Sequence, residues 1–261
     1  MIPHVRAVAF LKPMVSGRTK PCLMLCEDDD GNQEEVVVKL RAGIETREMG
    51  STSEVMASLL AQDLDLPTPE PRLVEIEPGF ERTVMNPGLA DTMKDSTGWN
   101  FGSKRLAPGL TTWPKGKSIP LLLRQTAAEV FAFDTIIQNP DRRKDNPNVL
   151  WKGGDLFIYD HEMSLTFFLP QLGWQPPWTG QGLEFLTDHL FYDGLKGTPI
   201  NLDRFTGAFE AITDDRLEEY SADVPDDWKA KSDASVQMVA YLKEARQNLD
   251  GIVSSIGRLL K

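Results

Sequence analysis

Asp141 and Asn146 stand five positions apart in a polar stretch, and Asp160 follows fourteen residues later. One carboxylate of this trio suits the task of orienting or deprotonating an attacking hydroxyl. An amide oxygen and a second carboxylate suit magnesium, a hard cation that prefers oxygen ligands. Phosphoryl transfer from a nucleotide needs this donor set. It also needs a cation for the phosphates, and Lys39 offers one at the end of the β-branched run Val36-Val37-Val38. Glu54 stands in the first turn of a helical pattern. The plain readings stand beside these: Asp and Asn are common in loops because they mimic backbone turns. A strand-end lysine discourages edge pairing, and an acid in a first helical turn is favoured by the helix dipole.

Several elements must position these groups. Asn148–Trp151 and Leu156–Tyr159 are β-prone, and the link Lys152-Gly153-Gly154-Asp155 has the Gly-Gly chemistry of a tight hairpin turn. Such a hairpin returns Asp160 to the loop that carries Asp141 and Asn146. Residues 119–138 read as a helix apolar nearly all round, hence buried, which delivers the chain into that loop. Asp134 on it is a candidate to support the loop from behind or a plain surface acid. Residues 4–11, the run Cys22–Asp28 and Glu35–Leu40 predict three short strands in an antiparallel meander. The link Ser16-Gly17-Arg18-Thr19 between the first two is a hairpin turn whose N–H groups are able to cover phosphates. Residues 51–64 predict a helix, ended by Pro67, Pro69 and Pro71, and strands follow at 72–76 and 83–85. Residues 86–118 have no clear period and are expected to connect two lobes. Residues 164–180 are irregular and aromatic, with Phe167, Phe168, Trp174 and Trp178, and face substrate or serve as packing. From Gly182 onward the chain reads as short amphipathic helices and a long one from Ser235 to Leu260.

Composition narrows the function. The net charge is −11, and Glu184 to Lys261 holds nine Lys+Arg against fifteen Asp+Glu, a net of −6. A nucleic-acid binder carries a basic footprint, so DNA and RNA are not expected as partners. No run approaches the roughly eighteen apolar residues of a membrane span. The start of the chain lacks a signal-peptide pattern, which predicts a cytoplasmic protein with no membrane partner. Cys22 and Cys26, four apart on one strand, are expected as reduced, buried thiols. His4, His161 and His189 are too scattered for a zinc site.

Taken together, these residues resemble the HipA-like kinases, in their short bacterial form, related to the phosphatidylinositol 3/4-kinase fold. The likeness runs from about residue 10 to 250. It rests on Ser16-Gly17-Arg18, Val38-Lys39, Ser53-Glu54 opening a helix that finishes Leu66-Pro67-Thr68-Pro69-Glu70, and Phe101-Gly102-Ser103. It rests most on Asn139-Pro140-Asp141-Arg142 to Asn146-Pro147-Asn148 and on Tyr159-Asp160-His161. The resemblance implies an α+β, two-lobed protein-kinase-like fold that binds ATP and Mg2+. Residues 1–85 would form an N-lobe of antiparallel sheet and one helix, 86–118 an inter-lobe linker or insert, and 119–261 a helical C-lobe. Lys39, with Ser16, Gly17 and Arg18, would hold the nucleotide, and Glu54 would orient Lys39. Asp141 would be the catalytic aspartate, and Asn146 and Asp160 the metal ligands. Two departures from the related lipid kinases stand out: Arg143 replaces the usual histidine, and His161-Glu162 replaces Phe-Gly or a similar pair.

The resulting expectation is an ATP-dependent phosphotransferase acting on a Ser/Thr hydroxyl of a protein, including its own chain. The acceptor protein is unknown, and an antitoxin or regulator is a partner left open. Two other readings stay open: a kinase-shaped module that binds nucleotide or a partner without catalysis, and a metal hydrolase using Asp141, Asp145, Asp160, His161 and Glu162.

Overall fold

Alternation of inward apolar and outward polar residues rolls the first strands into a barrel. In the computed structural model, which describes residues 1–14, 19–166 and 174–261, β1 (His4–Pro13), β2 (Cys22–Glu27) and β3 (Gln33–Lys39) pair antiparallel in sequence order, as the meander predicts. The helix α1 (Glu48–Asp63) then leads to β4 (Pro71–Ile76). A second helix, α2 (Pro87–Asp95), precedes β5 (Gly98–Lys104), which inserts between β3 and β4. The order β1-β2-β3-β5-β4 closes on itself through a parallel seam, His4–Arg6 against Leu73–Glu75. The expected purely antiparallel sheet is therefore corrected to a closed barrel with one parallel junction. Closure removes both sheet edges. Val5, Ala7, Cys22, Met24, Cys26, Val36, Val38, Val74 and Ile76 fill the interior. Both cysteines are buried free thiols, and burial pushes them up to about 11 and about 12.

Residues 86–118 are corrected as well. Instead of a connecting loop they contain α2, the barrel strand β5 and the short β6 (Thr111–Thr112). The signal in β5, Gly98-Trp-Asn-Phe-Gly-Ser-Lys, is weak because barrel closure demands small residues there. A Cβ at Gly102 would stand 2.6 Å from Val36 Cγ1 and 2.7 Å from Val74 Cγ2. Residues 83–85 do not form a strand: Phe80–Thr83 is a 3-10 turn, followed by extended chain.

The second half packs helices around α3 (Arg124–Ile136), whose Ala127, Val130, Phe131, Phe133 and Ile136 are all buried. Beside it β7 (Val149–Lys152) and β8 (Asp155–Ile158) form the predicted hairpin, with β6 on its outer edge. The remaining helices are α4 (Tyr192–Leu195), α5 (Asp203–Ala211), α6 (Asp214–Ala222), α7 (Asp226–Lys229), α8 (Ala234–Gln247) and α9 (Leu249–Leu259). Although α1 lies among the barrel strands in sequence, its Val55, Met56, Leu59 and Leu60 belong to this helical core. Its C-terminal end is tied to α6 and its N-terminal end to the turn after α7. Asp63 accepts from Arg216 Nε at 2.7 Å and from the Tyr220 hydroxyl at 2.6 Å, and Glu48 accepts from Lys231 Nζ at 2.6 Å. The helix that carries Glu54 is thus fixed to the helical body, while the lysine facing it belongs to the barrel.

Candidate active site

Lys39 closes β3 and turns its ammonium into the junction of barrel and helices. It donates to Glu54 Oε1, to Asp160 Oδ1 at 2.6 Å and to Glu162 Oε2 at 3.2 Å. Glu54 is buried on α1, and its Oε1 also accepts the backbone N–H of His161 at 3.0 Å. That bond fixes the turn after Asp160 against the helix. Burial by itself would lower the lysine, but Glu54, Asp160 and Glu162 outweigh it and raise its pKa. Burial would raise Asp160 too, yet the Lys39 ammonium holds it below its ordinary value. Glu54 moves up: burial is the main cause, Lys39 opposes it, and Asp160 and Glu162 add to it.

The loop around Asp141 is built by local hydrogen bonds. Asn139 Oδ1 accepts the Asp141 N–H at 3.0 Å, an Asx turn that starts the loop as α3 ends. Asp141 Oδ2 accepts from the side-chain amides of Asn146 at 2.8 Å and Asn148 at 3.2 Å. The carboxylate is aimed by two amides and remains partly exposed. Gln138, Asn148, Asp160 and Leu165 all adopt positive φ, at 52°, 47°, 65° and 55°. Non-glycine residues rarely do so, and such residues cluster where surrounding structure over-determines the backbone. Leu165 shows how: its N–H caps α3 by donating to Ile137 O at 2.7 Å.

Behind the loop lies a buried polar cluster. Arg142, fully buried, donates Nε to Asp134 Oδ2 at 2.6 Å and Nη1 to the carbonyls of Asn148 at 2.5 Å and Tyr159 at 3.0 Å. Its Nη2 donates to His161 Nδ1 at 3.2 Å, so the neutral His161 ring carries its proton on Nε2. His189 Nδ1 accepts the Phe191 N–H at 3.1 Å, and its Nε2–H donates to Asp134 Oδ2 at 2.9 Å. Burial would raise Asp134, but Arg142 and His189 prevail and hold it at about 2. Burial and the neighbouring Arg142 charge push His161 down to about 3. One arginine therefore joins the end of α3, the loop and the exit of the hairpin.

The two constellations face one cleft of about 860 Å3. Lys39, Glu54, Asp141, Asn146 and Asp160, five of the residues singled out from the sequence, all line it. Ser16, Gly17 and Arg18 lie outside the described residues, as do Phe167 and Phe168; Met14 and Thr19 line the cleft. Asn148 as a partner of Asp141, and Arg142 and His189 as partners of Asp134, go beyond the residues singled out from the sequence. The repeated amide in Asn146-Pro147-Asn148 was a signal for the first. The second had none, because a salt bridge eight residues apart and a histidine 55 positions away show no periodicity. Glu162, expected from the sequence as a hydrolase ligand and as part of the His161-Glu162 departure, is here the third carboxylate on Lys39. His161, with Nδ1 taken by Arg142, faces the Phe133 ring edge-on rather than joining an acidic cluster.

Oxygen ligands for a hard cation are present. Asn146 commits its NH2 to Asp141, which leaves its carbonyl oxygen as the ligand atom, and Asp160 supplies a carboxylate that is partly exposed to the cleft. Glu54, Asp160 and Glu162 also offer oxygens within 4.8 Å of one another, but Lys39 already supplies the positive charge among them. Among the described residues no helix is long and apolar enough to cross a membrane.

Among solved structures, a Helicobacter pylori proinflammatory kinase, CtkA, is similar in fold, with a TM-score of 0.54 at 12% identity over 99% of this chain and 100% of that one. A search of curated protein sequences returns no match. A family model described as HipA-like kinase matches residues 7–255, nearly the whole length over which the barrel, the loop and the helical body are built. By that match, the chain belongs to the HipA-like kinase family.

Proposed function

We propose that this protein is an ATP- and Mg2+-dependent phosphotransferase that phosphorylates a Ser or Thr hydroxyl of a protein, its own chain included. The reading treats the barrel as a nucleotide-holding lobe and the helical body as the lobe that supplies the base. The observation that carries it is the shared cleft: a lysine held by a helix glutamate and a strand-end aspartate opens onto the same space as an aspartate aimed by two amides.

Each residue has a part in this reading. Lys39 turns from Asp160 toward the nucleotide phosphates while Glu54 keeps its ammonium in place. Asp141 accepts the proton of the attacking hydroxyl, and Asn146 and Asn148 fix which of its oxygens is presented. Asp160 and the Asn146 amide oxygen would hold magnesium, which when bound neutralises charge on the phosphates. Ser16, Gly17 and Arg18 would cover the phosphates with their backbone N–H groups.

The test is transfer of radiolabelled γ-phosphate from ATP to the protein itself and to a cell extract, with magnesium present. Wild type labels protein on Ser or Thr, while Asp141→Ala and Asp160→Ala reduce labelling at least about a hundredfold. Nucleotide binding by the wild type without any labelling would favour a binding module. Unchanged labelling in both variants would overturn the assigned roles.

A further inference from the structure

Two consecutive arginines follow Asp141, and their surroundings differ. Arg142 is fully buried and spends its donors on Asp134, two backbone carbonyls and His161. The Arg143 side chain is 45% exposed on the cleft wall. Its guanidinium has two loose ion contacts, Nη2 to Asp141 Oδ1 and Nε to Asp145 Oδ1, both at 3.6 Å and beyond hydrogen-bond length. Its backbone is anything but loose. The Arg143 N–H donates to Asp141 O at 3.0 Å and Asn146 O at 2.9 Å, and its carbonyl accepts from Asn146 N at 3.1 Å. It also bridges to His189, whose ring is anchored on Asp134. A fixed main chain therefore presents a five-donor fork whose donors are not spent on strong protein bonds.

We infer that Arg143 is a further catalytic residue, whose guanidinium binds the γ-phosphoryl group as it is transferred. The inference rests on the phosphotransferase reading above. In that reaction the acceptor O–H bond and the bond from the γ-phosphorus to the β–γ bridging oxygen break. A new phosphorus–oxygen ester bond forms, the proton passes to Asp141, and the bridging oxygen leaves with its electron pair on ADP. The acceptor hydroxyl lies within hydrogen-bond reach of Asp141, and the phosphorus about 3–3.5 Å beyond it. A guanidinium 3.6 Å from the same carboxylate reaches the equatorial oxygens by side-chain rotation alone. Charge spreads over those oxygens in the loose transition state, and a planar fork matches them in pairs. Lys39 lines the same cleft but is held in the carboxylate cluster of Glu54, Asp160 and Glu162, whereas Arg143 stands beside Asp141 and Asp145, so the two cations serve different parts of the triphosphate.

Calorimetric titration of wild type, Arg143→Ala and Arg143→Lys with MgADP, and with MgADP plus aluminium fluoride, tests this. Aluminium fluoride stands in for the phosphoryl group in flight. Arg143→Ala should leave MgADP affinity within about twofold, weaken the aluminium fluoride complex at least about tenfold, and lower kcat about 10- to 1000-fold. Arg143→Lys should recover part of both losses, since it keeps charge but not the fork. If the ratio of the two affinities is the same in Arg143→Ala as in wild type, the inference is overturned, whatever happens to kcat, because the arginine then acts through Asp141 or the acceptor. If wild type itself binds no nucleotide, the phosphotransferase reading fails first and takes this inference with it.

Discussion

Lys39 Nζ and Asp160 Oδ1 stand 2.6 Å apart, although 121 positions separate them in sequence. This contact joins the end of the third barrel strand to the exit of the hairpin, and the same ammonium holds Glu54 and Glu162. One buried cation thus serves three carboxylates. Burial, with the negative charge left over on Asp160 and Glu162 adding to it, moves Glu54 up, while the three carboxylates hold the lysine firmly protonated. In the proposed reaction the same excess of carboxylates keeps the lysine in register when a triphosphate draws it from Asp160.

Removal of that cation should therefore cost more than removal of any single acid around it. Lys39→Ala leaves Glu54, Asp160 and Glu162 without their shared counter-charge, and breaking a buried pair from one side costs about 3–5 kcal/mol. Asp160→Asn keeps the lysine paired to two carboxylates, so a loss of about 1 kcal/mol or less is expected. Urea denaturation at pH 7.5 measures both. Equal losses for the two variants would show that Lys39 is not the hub.

Arg142 carries a second such expectation, this time for the loop. Its guanidinium is fully buried and bonded to Asp134 and to carbonyls on either side of the hairpin. Arg142→Ala should destabilise by about 3–5 kcal/mol, and Asp134→Ala by a similar amount, because each strands the other charge. The double variant should fall well short of the sum, with a coupling of about 1–3 kcal/mol. Additive losses would mean that the pair is not the joint that holds loop to helix.

Much of this arrangement was legible in the sequence, for reasons that separate local from non-local physics. The Gly153-Gly154 turn and its β-prone flanks specify the hairpin, so the return of Asp160 toward Asp141 followed from local chemistry. The run Val36-Val37-Val38 placed Lys39 at a strand end, and apolar spacing from Val55 to Leu60 placed Glu54 on a helix. The parallel seam between β1 and β4 was not legible, because strand pairing across about seventy residues leaves no local period. Nor was β5, where Gly98 and Gly102 weaken the strand signal while closure requires a small residue at Gly102. The helical allegiance of α1 was hidden too, since a nearly all-round buried helix has no polar face to say which core it joins.

His161 gives a pH dependence with a definite sign. Burial, and then the Arg142 charge, push it down to about 3, so the folded imidazole stays neutral under mildly acidic conditions. The unfolded imidazole takes up a proton below about pH 6.5. Acidification therefore favours the unfolded chain through this residue, starting near pH 6.5 and continuing until the folded value is reached. Between pH 7.5 and 5.5 the wild type should lose about 1.4 kcal/mol more stability than His161→Asn, which lacks the titration. Comparing the two proteins cancels the opposite contribution of Glu54, whose raised value makes acidification stabilising. Parallel pH profiles for the two proteins, or a His161 ring signal that titrates near 6.5 by NMR, would refute the assignment.

The last expectation concerns the helix that carries Glu54. Asp63, at the C-terminal end of α1, accepts from Arg216 at 2.7 and 3.0 Å and from Tyr220 at 2.6 Å, which secures α1 to α6. The pair is partly exposed, so the stability at stake is modest. Asp63→Ala should cost about 1–2 kcal/mol and Tyr220→Phe about 1 kcal/mol or less. The larger effect should be on local order. Loss of the C-terminal tie leaves α1 held by its apolar face, by Glu54 with Lys39 and the His161 N–H, and by Glu48 with Arg41 and Lys231, all of them N-terminal to residue 58 apart from the apolar face, so amides in 58–63 should exchange faster in Asp63→Ala than in wild type, while those of α3 stay protected. Because Glu54 lies about two and a half turns away on the same helix, kcat should fall with the loosened helix more than affinity for MgADP does. Uniformly faster exchange across α1 and α3 would instead mean that the substitution weakens the whole helical core, and that this ion pair does not specifically anchor the glutamate.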